Sequence, residues 1–145
     1  MNLVSLSENK EIEKRLAITP EISKKYIDLG LNIFLPNNYG SHLGFDDDEY
    51  KNLGVNFLRS DKEIIDNADL IVQLGMLDDD KLSLIKENQT LIGSLNYFSN
   101  KEKMVSLKSK KINCFSLEML PRITRAQSMD ILSSQANLAG YKAVI

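Results

Sequence analysis

This 145-residue sequence has no tryptophan, one cysteine and one histidine, and these scarcities exclude several kinds of site. Cys114 cannot form an internal disulfide, and it alternates with Ile112 and Ser116 in an apolar run, so we expect it to be a buried strand residue. His42 has no second histidine or cysteine nearby to complete a metal site, and we interpret it as a surface loop residue. A Ser-His-Asp triad is therefore not predicted either.

Long apolar runs and strong net charge are also missing. No segment approaches eighteen consecutive apolar residues, so we predict no transmembrane helix and no direct membrane insertion. The first residues lack the basic and apolar regions of a secretory signal. The net charge of −2 gives no basic surface for nucleic acid or for an anionic membrane. Together these features predict a soluble, cytoplasmic protein.

The glycine-rich motifs that bind phosphate are absent as well. Neither G-x-G-x-x-G nor G-x-x-x-x-G-K-[ST] occurs, and the pair Gly40 and Gly44 is followed by Phe45 rather than by lysine. There is no G-x-S-x-G nucleophile elbow. The three acids at 46–48 lack the ligand spacing of an EF-hand loop, so we interpret them as a helix start. The sequence has no recognisable cradle for the phosphates of a dinucleotide.

What the sequence does contain is a regular alternation of short apolar runs and helical segments. The predicted strands are 2–6, 32–36, 55–58, 69–73, 90–94 and 112–116. Helix starts between them include Thr19 before Pro20 and Ser60 before Glu63. This alternation predicts a single α/β domain of Rossmann or flavodoxin type, with an open, mostly parallel sheet and helices on both faces.

The last twenty-five residues are the strongest candidate for a site. After Pro121 a helical pattern begins, with an apolar stripe of Met129, Leu132, Ala136, Ala139 and Ala143. A second stripe is polar and contains Asp130, Ser133 or Ser134, Asn137 and Tyr141. An amphipathic helix with a solvated face is the plainest interpretation. However, short hydrogen-bonding side chains in place of lysine and glutamate are typical of a site for a polar ligand.

The loop that opens this stretch leaves the carboxyl end of the sixth predicted strand. Open parallel sheets bind their ligands beyond the carboxyl ends of the strands. We therefore expect a ligand beside the polar side chains of this loop, which are Arg122, Thr124, Arg125 and Gln127.

Residues 121–144 closely resemble the signature of the NAD(H)-binding domain I, the α subunit, of proton-translocating NAD(P) transhydrogenase. Residues 13–21, Glu-Lys-Arg-Leu-Ala-Ile-Thr-Pro-Glu, are similar to that family and to its relative alanine dehydrogenase, and residues 68–72, Ala-Asp-Leu-Ile-Val, also match. The resemblance covers the whole chain. It implies that residues 1–145 are the N-terminal domain of this alanine dehydrogenase/transhydrogenase family, without the NAD-binding Rossmann domain. The final helix has no glycine stop, so we expect the chain to continue.

The resemblance implies that the loop after the sixth strand lies against the nicotinamide of NAD(H) and faces NADP(H) on another subunit. Arg122 and Ser133 would hold the carboxamide and nearby groups, Gln127 would reach toward the partner nucleotide, and Asp130 would order the loop. Tyr141 matches a family tyrosine near the same site. Because hydride transfer between two nicotinamides needs orientation, no acid–base catalytic residue and no metal is expected.

The same resemblance implies the setting of the domain. We expect NAD(H) as its cofactor, with NADP(H) on the partner, and NADP-binding and membrane subunits as its partners. We also expect a homodimer that is cytoplasmic and peripheral to the inner membrane. Alone, the chain is expected to form only the nicotinamide-side wall of the site and to be inactive.

Two alternatives stay open. In an alanine dehydrogenase-like domain, Arg15 would match the arginine that binds the substrate carboxylate. However, Gly75 and Asn96 stand where that family has its substrate lysine and catalytic histidine, which makes Arg15 a structural or interdomain charge here. The second alternative is a non-catalytic interaction module of the same fold.

Overall fold

The computed structural model describes residues 1–121 and 123–145, and within them six strands alternate with helices. The strands are β1 (Asn2–Val4), β2 (Asn32–Pro36), β3 (Asn56–Leu58), β4 (Leu70–Val72), β5 (Thr90–Gly93) and β6 (Asn113–Ser116). The α-helices are α1 (Pro20–Asp28), α2 (Asp47–Asn52), α3 (Asp61–Asp66), α4 (Asp79–Leu84), α5 (Lys101–Ser109) and α6 (Ile131–Val144). Short 3-10 segments lie at Ser41–Leu43, Leu117–Met119 and Thr124–Met129.

Capping side chains fix the starts of the helices, as the sequence predicts. Thr19 Oγ1 accepts a hydrogen bond from the Ile22 N–H at 3.4 Å, and a proline occupies the first position of α1. Ser60 Oγ accepts from the Glu63 N–H at the start of α3, and Asp46 precedes α2. The Thr19 and Ser60 hydroxyls each satisfy a backbone donor that has no partner inside the helix, so the starts of α1 and α3 follow from local chemistry.

All neighbouring strands in the sheet are parallel, in the order β3-β2-β1-β4-β5-β6. This is the order of Rossmann sheets, in which the direction of winding reverses between β1 and β4 and leaves a crevice above their carboxyl ends. The predicted α/β fold with its parallel sheet is confirmed. Several of the strands are one or two residues shorter than the apolar runs that predicted them.

Two apolar clusters cover the opposite faces of the sheet, since successive strand residues point to opposite sides. Val4 belongs to a cluster that contains Ile64 and Ile65 of α3 and Leu107 of α5. Leu3 belongs to the other cluster, which α1 and α2 complete. Burying one such side chain fully stabilises the fold by roughly 1.5–3 kcal/mol, so this double core holds the sheet in place.

The edge of the sheet at β6 departs from the sequence prediction. Cys114 lies in a strand, as expected, but the prediction that it is buried is wrong, because its side chain is exposed. It is in register with Leu91 of β5, which is fully buried. The interior strand β5 has a neighbouring strand on each side, whereas β6 is the edge strand. Cys114 therefore has fewer neighbours to cover it than Leu91, although both lie on the same face of the sheet. Phe115 on the opposite face is 59% exposed.

Helix α6 is also uncovered. Four residues of the predicted apolar stripe, Leu132, Ala136, Ala139 and Ala143, lie on the helix, whereas Met129 lies in the 3-10 segment before it. No residue of the helix is buried, and Leu132 is 46% exposed. The stripe is therefore not packed against the core of this domain.

Candidate functional site

The segment between β6 and α6 leaves the carboxyl edge of the sheet through the turn Leu117–Met119 and then forms the 3-10 segment Thr124–Met129. Ala126 is the buried residue of that segment and anchors it to the domain. The side chains of Thr124, Arg125 and Gln127 are exposed. The loop thus presents its polar groups to solvent at the edge where the sequence predicted a ligand.

Asp130 is the N-cap of α6 and orders its first turn. Its Oδ1 accepts hydrogen bonds from the N–H groups of Leu132 at 2.9 Å and Ser133 at 3.2 Å. Its Oδ2 accepts from the Ser133 hydroxyl at 2.6 Å. A carboxylate is favourable at this end of a helix because the helix dipole is positive there. Since the Ser133 hydroxyl donates its proton to Asp130, its oxygen remains an acceptor for a ligand N–H.

A cleft of about 310 Å³ lies over this loop. It is lined by Pro121, Ile123, Thr124, Ala126, Gln127, Asp130 and Ser133. The structure therefore brings together three of the five predicted site residues, Gln127, Asp130 and Ser133. Tyr141 does not line this cleft: it lies two turns further along α6 and is 72% exposed. Arg122 lies outside the described residues.

A larger cleft, of about 450 Å³, lies at the crevice between β1 and β4, and sequence reasoning did not find it. Its walls include Ser7 and Glu8 after β1, Gln73 and Gly75 after β4, and Lys81 of α4. The available signal was the polar Gln73 at the end of an apolar strand run. That signal gains meaning only when β1 and β4 are known to be neighbours, which the sequence does not show.

Gln73 lines this cleft, which we call the switch-point cleft, and its side chain is hydrogen-bonded to groups inside the domain. Gln73 is 3% exposed, and its Oε1 accepts from the Leu6 N–H at 2.8 Å and from Ser5 Oγ at 2.9 Å. Ser5 Oγ and Tyr39 OH share a hydrogen bond of 2.8 Å. Because Ser5 donates to Gln73, Tyr39 donates to Ser5. Burial raises the pKa of Tyr39 to about 12, so the phenol keeps its proton and the network is closed.

Charged groups of the same cleft are also paired within the domain. Glu8 Oε1 accepts from the Leu74 N–H at 2.7 Å, and burial raises the pKa of this carboxyl. Lys81 Nζ donates to the Ser7 carbonyl at 3.1 Å and lies 3.6 Å from Asp78. More acids than lysines line the cleft, and carboxylates repel an anion, so the crevice has no excess of positive charge for the pyrophosphate that Rossmann sheets bind there.

Arg15 is held by a neighbour in the chain. Its Nε donates to Glu13 Oε1 at 2.8 Å and its Nη2 donates to Glu13 Oε2 at 2.6 Å. This forked contact lowers the pKa of Glu13 and raises that of Arg15. A guanidinium engaged on two nitrogens by a carboxylate has less to offer a substrate carboxylate. Arg15 borders a third cleft, of about 280 Å³, together with Ser94, Leu117 and the first turns of α6.

Gly75 and Asn96, which the resemblance aligns with a lysine and a histidine of alanine dehydrogenases, offer no such groups here. Gly75 lines the switch-point cleft without a side chain. Asn96 adopts a positive φ of 48° in the loop after β5, and its carbonyl accepts from the N–H groups of Ser99 and Asn100. Neither residue supplies a proton-transfer group.

Residues 1–121 and 123–145 contain neither a metal-binding cluster nor a membrane-spanning helix. In that part of the chain, no three side chains of histidine, cysteine, aspartate or glutamate are grouped to hold a metal ion. None of the helices described there is long and apolar enough to cross a membrane. His42 is exposed, as predicted, but it lies in the 3-10 segment Ser41–Leu43 rather than in a loop. Its Nε2 lies 2.9 Å from the Lys14 carbonyl oxygen.

Comparison with known proteins identifies the family. The model of the alanine dehydrogenase/PNT N-terminal domain matches residues 5–139. The chain belongs to this family. It is 38% identical over 149 residues to the first of the NAD(P) transhydrogenase subunit alpha polypeptides of Rickettsia prowazekii, and 37% identical over 150 residues to its counterpart in Rhodospirillum rubrum. Each match covers 100% of this chain and 39% of the relative. The chain thus spans about two fifths of the length of these curated relatives.

Solved structures place this family member within the same fold. The crystal structure of transhydrogenase from Sinorhizobium meliloti matches with a TM-score of 0.88 and 31% identity, over 97% of this chain and 42% of that one. An L-alanine dehydrogenase matches with a TM-score of 0.76 over 81% of this chain and 32% of that one. At 20% identity, the second likeness shows the shared fold alone.

Proposed function

We propose that this domain positions the nicotinamide of NAD(H) for hydride transfer to NADP⁺. It would do so as the N-terminal part of the NAD(H)-binding subunit of a Re/Si-specific, proton-translocating NAD(P) transhydrogenase. The observation that carries the proposal is the cleft over the β6–α6 loop, where Gln127, Asp130 and Ser133 meet at the carboxyl edge of the sheet. The family and its transhydrogenase relatives support the proposal.

The side chains in the cleft suit a carboxamide. A carboxamide has one acceptor oxygen and an NH₂ donor. The Ser133 oxygen, fixed by its bond to Asp130 at 2.6 Å, accepts from such an NH₂ group, while Arg122 in the same loop carries donors for the oxygen. Gln127 is exposed and carries both a donor and an acceptor, which suits contact with a second nucleotide.

NAD(H) supplies the hydride chemistry when it is bound, and the protein's part is orientation. Two rings held at the correct approach react faster because the cost of bringing them together has been met in binding. No side chain with a proton-transfer role is required. The described part of the cleft lining offers hydroxyl groups, one amide and the carboxylate that caps α6, which are groups suited to orienting a ligand.

We infer that the adenosine and pyrophosphate of NAD(H) bind to another part of the assembly. The sequence lacks both glycine-rich motifs, and Glu8 occupies the crevice where this strand order usually holds a phosphate. We infer that a Rossmann domain supplies those contacts and that residues 1–145 alone bind NAD(H) weakly.

We also infer the assembly from the family. The partners would be the NADP-binding and membrane subunits of a transhydrogenase, together with a second copy of the NAD(H)-binding subunit. The complex would lie on the cytoplasmic side of the inner membrane, to which this domain is peripheral. The exposed stripe of α6 and the open edge at β6 give such partners apolar surface to cover.

The test is single-turnover hydride transfer in the native assembly, meaning the polypeptide that carries this sequence with its transhydrogenase subunits. Arg122→Ala and Gln127→Ala are each expected to lower the rate by about tenfold or more, because one orienting hydrogen bond is lost. The matched control is Asn52→Ala, an exposed amide at the end of α2, near the opposite edge of the sheet. If both loop variants keep the rate of the control, the assigned site is wrong.

Alanine dehydrogenase is the alternative with sequence support, because alanine dehydrogenase 1 of Staphylococcus aureus is 26% identical over 145 residues. The Glu13–Arg15 pair and the residues Gly75 and Asn96 count against it. NAD-dependent oxidation of alanine by the native assembly would overturn the transhydrogenase proposal in favour of this one.

A further inference from the structure

Glu118 is the one acid in the turn Leu117–Met119, and its carboxylate holds two loops together. Its Oε2 accepts from the Leu95 N–H at 3.1 Å, and its Oε1 accepts from the Tyr97 N–H at 3.1 Å and from Ser116 Oγ at 2.5 Å. The two backbone donors belong to the loop after β5, and the hydroxyl belongs to the end of β6. Three donors on two oxygens are a set that a carboxylate satisfies and a neutral amide does not.

The turn that contains Glu118 supports the candidate site. Helix α6 contacts this turn, although no residue of the helix is buried. Leu117, next to Glu118, lines a cleft together with Ser94, next to Leu95, and with Ile131 and Leu132 in the first turn of α6. The same first turn carries the Asp130 cap and the Ser133 hydroxyl. A shift of the turn therefore shifts the wall that carries Ser133.

The loop on the other side of the contact has a constrained backbone. Asn96 lies between the two amides that Glu118 binds, and its φ of 48° is in the left-handed region, which is unfavourable for residues other than glycine, less so for asparagine. Without the carboxylate, the Leu95 and Tyr97 amides lose their acceptor and the turn loses the contact that ties it to the loop after β5.

We propose that Glu118 is a positioning residue for hydride transfer, which fixes the turn beneath α6 and through it the wall that carries Ser133. This inference rests on the proposed function. Glu118 lies outside the lining of the cleft over the β6–α6 loop, so it acts through other residues and does not touch the nicotinamide. Substitution of Glu118 should therefore change the orientation of the two nicotinamide rings more than the affinity for NADH, because most contacts to the nucleotide are made by another domain.

The test uses Glu118→Gln in the native assembly. Glutamine turns its NH₂ group toward one of the two backbone N–H groups from which the carboxylate accepts, so one hydrogen bond becomes a repulsion. We expect single-turnover hydride transfer to slow by about tenfold, because small displacements of the reacting groups are costly, while the Kd for NADH changes less than about threefold. Amide hydrogen exchange in a peptide spanning 94–100 should accelerate. Glu118→Asp keeps both acceptor oxygens and should recover part of the rate.

The control is Glu102→Gln, which removes an exposed acid in the first turn of α5 and should leave rate, affinity and exchange unchanged. If Glu118→Gln keeps the wild-type rate while Gln127→Ala or Arg122→Ala slows it, the inference about Glu118 is wrong and the proposed function stands. If none of the three variants slows transfer, the proposed function fails and this inference with it. Should Glu118→Gln unfold the domain, Ser116→Ala removes one donor instead, and an unchanged rate there overturns the proposal.

Discussion

Two clefts at the carboxyl edge of the sheet are lined by polar side chains, but these side chains differ in whether other groups of the domain bind them. In the switch-point cleft between β1 and β4, Gln73 is buried and is bonded to Ser5 and to the backbone of Leu6. In the cleft over the β6–α6 loop, Gln127 is exposed, and in the described part of the chain its side chain has no hydrogen bond. One glutamine completes the fold, and the other is available to a ligand.

This difference shows that strand order alone does not identify the ligand site. Strand order places the crevice between β1 and β4, and that is where a ligand is expected in a Rossmann sheet. Here Gln73, Glu8 and Lys81 are hydrogen-bonded to other groups of the domain, so their hydrogen-bonding capacity stabilises the protein. Polar groups exposed to solvent lie instead at the edge of the sheet, on a loop whose segment Thr124–Met129 has Ala126 as its buried residue. Stability and function can therefore be separated by mutation.

The largest effect is expected at Gly93, where β5 approaches the switch point. A Cβ at this position would collide with the backbone carbonyl oxygen of Gln73, so the two strands must move apart. We expect Gly93→Ala to reduce the free energy of unfolding by about 3 kcal/mol or more, measured by urea denaturation. Gly140→Ala in α6 is the matched control, since nothing lies within 4 Å of its Cβ. It should be neutral or stabilise by up to about 1 kcal/mol, and equal losses in both variants would contradict the contrast.

The two glutamines give the sharpest contrast. Gln73→Ala leaves the Leu6 N–H and the Ser5 hydroxyl without their acceptor inside the core, and we expect it to destabilise the fold by about 2–3 kcal/mol. Gln127→Ala should change stability by less than about 0.5 kcal/mol while slowing hydride transfer. Thermal or urea unfolding gives the first quantity and single-turnover kinetics the second. A large loss of stability in Gln127→Ala would show that the loop is structural.

Two buried serines differ in whether their hydroxyl groups have a hydrogen-bond partner. Ser5 is bonded to Tyr39 and Gln73, whereas Ser23 in α1 is fully buried and its Oγ has no partner among the described residues. We expect Ser5→Ala to destabilise the protein by about 1–2 kcal/mol and Ser23→Ala to stabilise it by about 0.5–1 kcal/mol, because alanine removes an unsatisfied group and favours the helix. Urea unfolding compares the two, and a loss of stability in Ser23→Ala would contradict this account.

The smallest effects concern pH, at Glu8 and Glu118. Burial raises the pKa of Glu8 above its usual 4.5, so its contribution to stability is present below 4.5 and is lost as the pH rises through the raised value. For Glu118, burial acts to raise the pKa, but hydrogen bonds from Ser116, Tyr97 and Leu95 lower it. Its contribution is present above 4.5 and is lost as the pH falls through the lowered value.

Both groups are partly exposed, so each pH effect should be below about 1 kcal/mol. Urea unfolding between pH 3 and pH 7 measures it. Compared with wild type, Glu8→Gln should gain most at the higher pH, and Glu118→Gln should lose most at the higher pH. The same sign of pH dependence in both variants would contradict the assignment.

Much of the fold follows from local sequence, because helix caps and apolar strand segments are recognised from a few consecutive residues. Thr19 and Ser60 start helices where predicted, and all six predicted strands are present in the described chain. What local sequence does not specify is which strands become neighbours. The burial of Cys114 depends on whether β6 is an interior or an edge strand, and the Gln73 network depends on β4 lying beside β1. Both were beyond prediction for that reason.

The candidate site was predicted in part for a related reason. Gln127, Asp130 and Ser133 are close in sequence, so a turn and a helix start bring them into one cleft. Tyr141 was predicted to join them on the basis of a helical stripe and of resemblance. The stripe places it on a similar face of α6, but two turns of helix separate it from Ser133, and it lies outside that cleft. Its proposed part in nucleotide binding stays a prediction.

The central claim is that the β6–α6 loop contacts the nicotinamide and not the adenosine end of the nucleotide. Amide hydrogen exchange in the native assembly tests it directly when NADH is compared with ADP-ribose, which lacks the nicotinamide. We predict that NADH slows exchange in peptides covering 121–133 and that ADP-ribose, bound at saturation, does not. Equal protection by both ligands, or none by saturating NADH, would contradict the account.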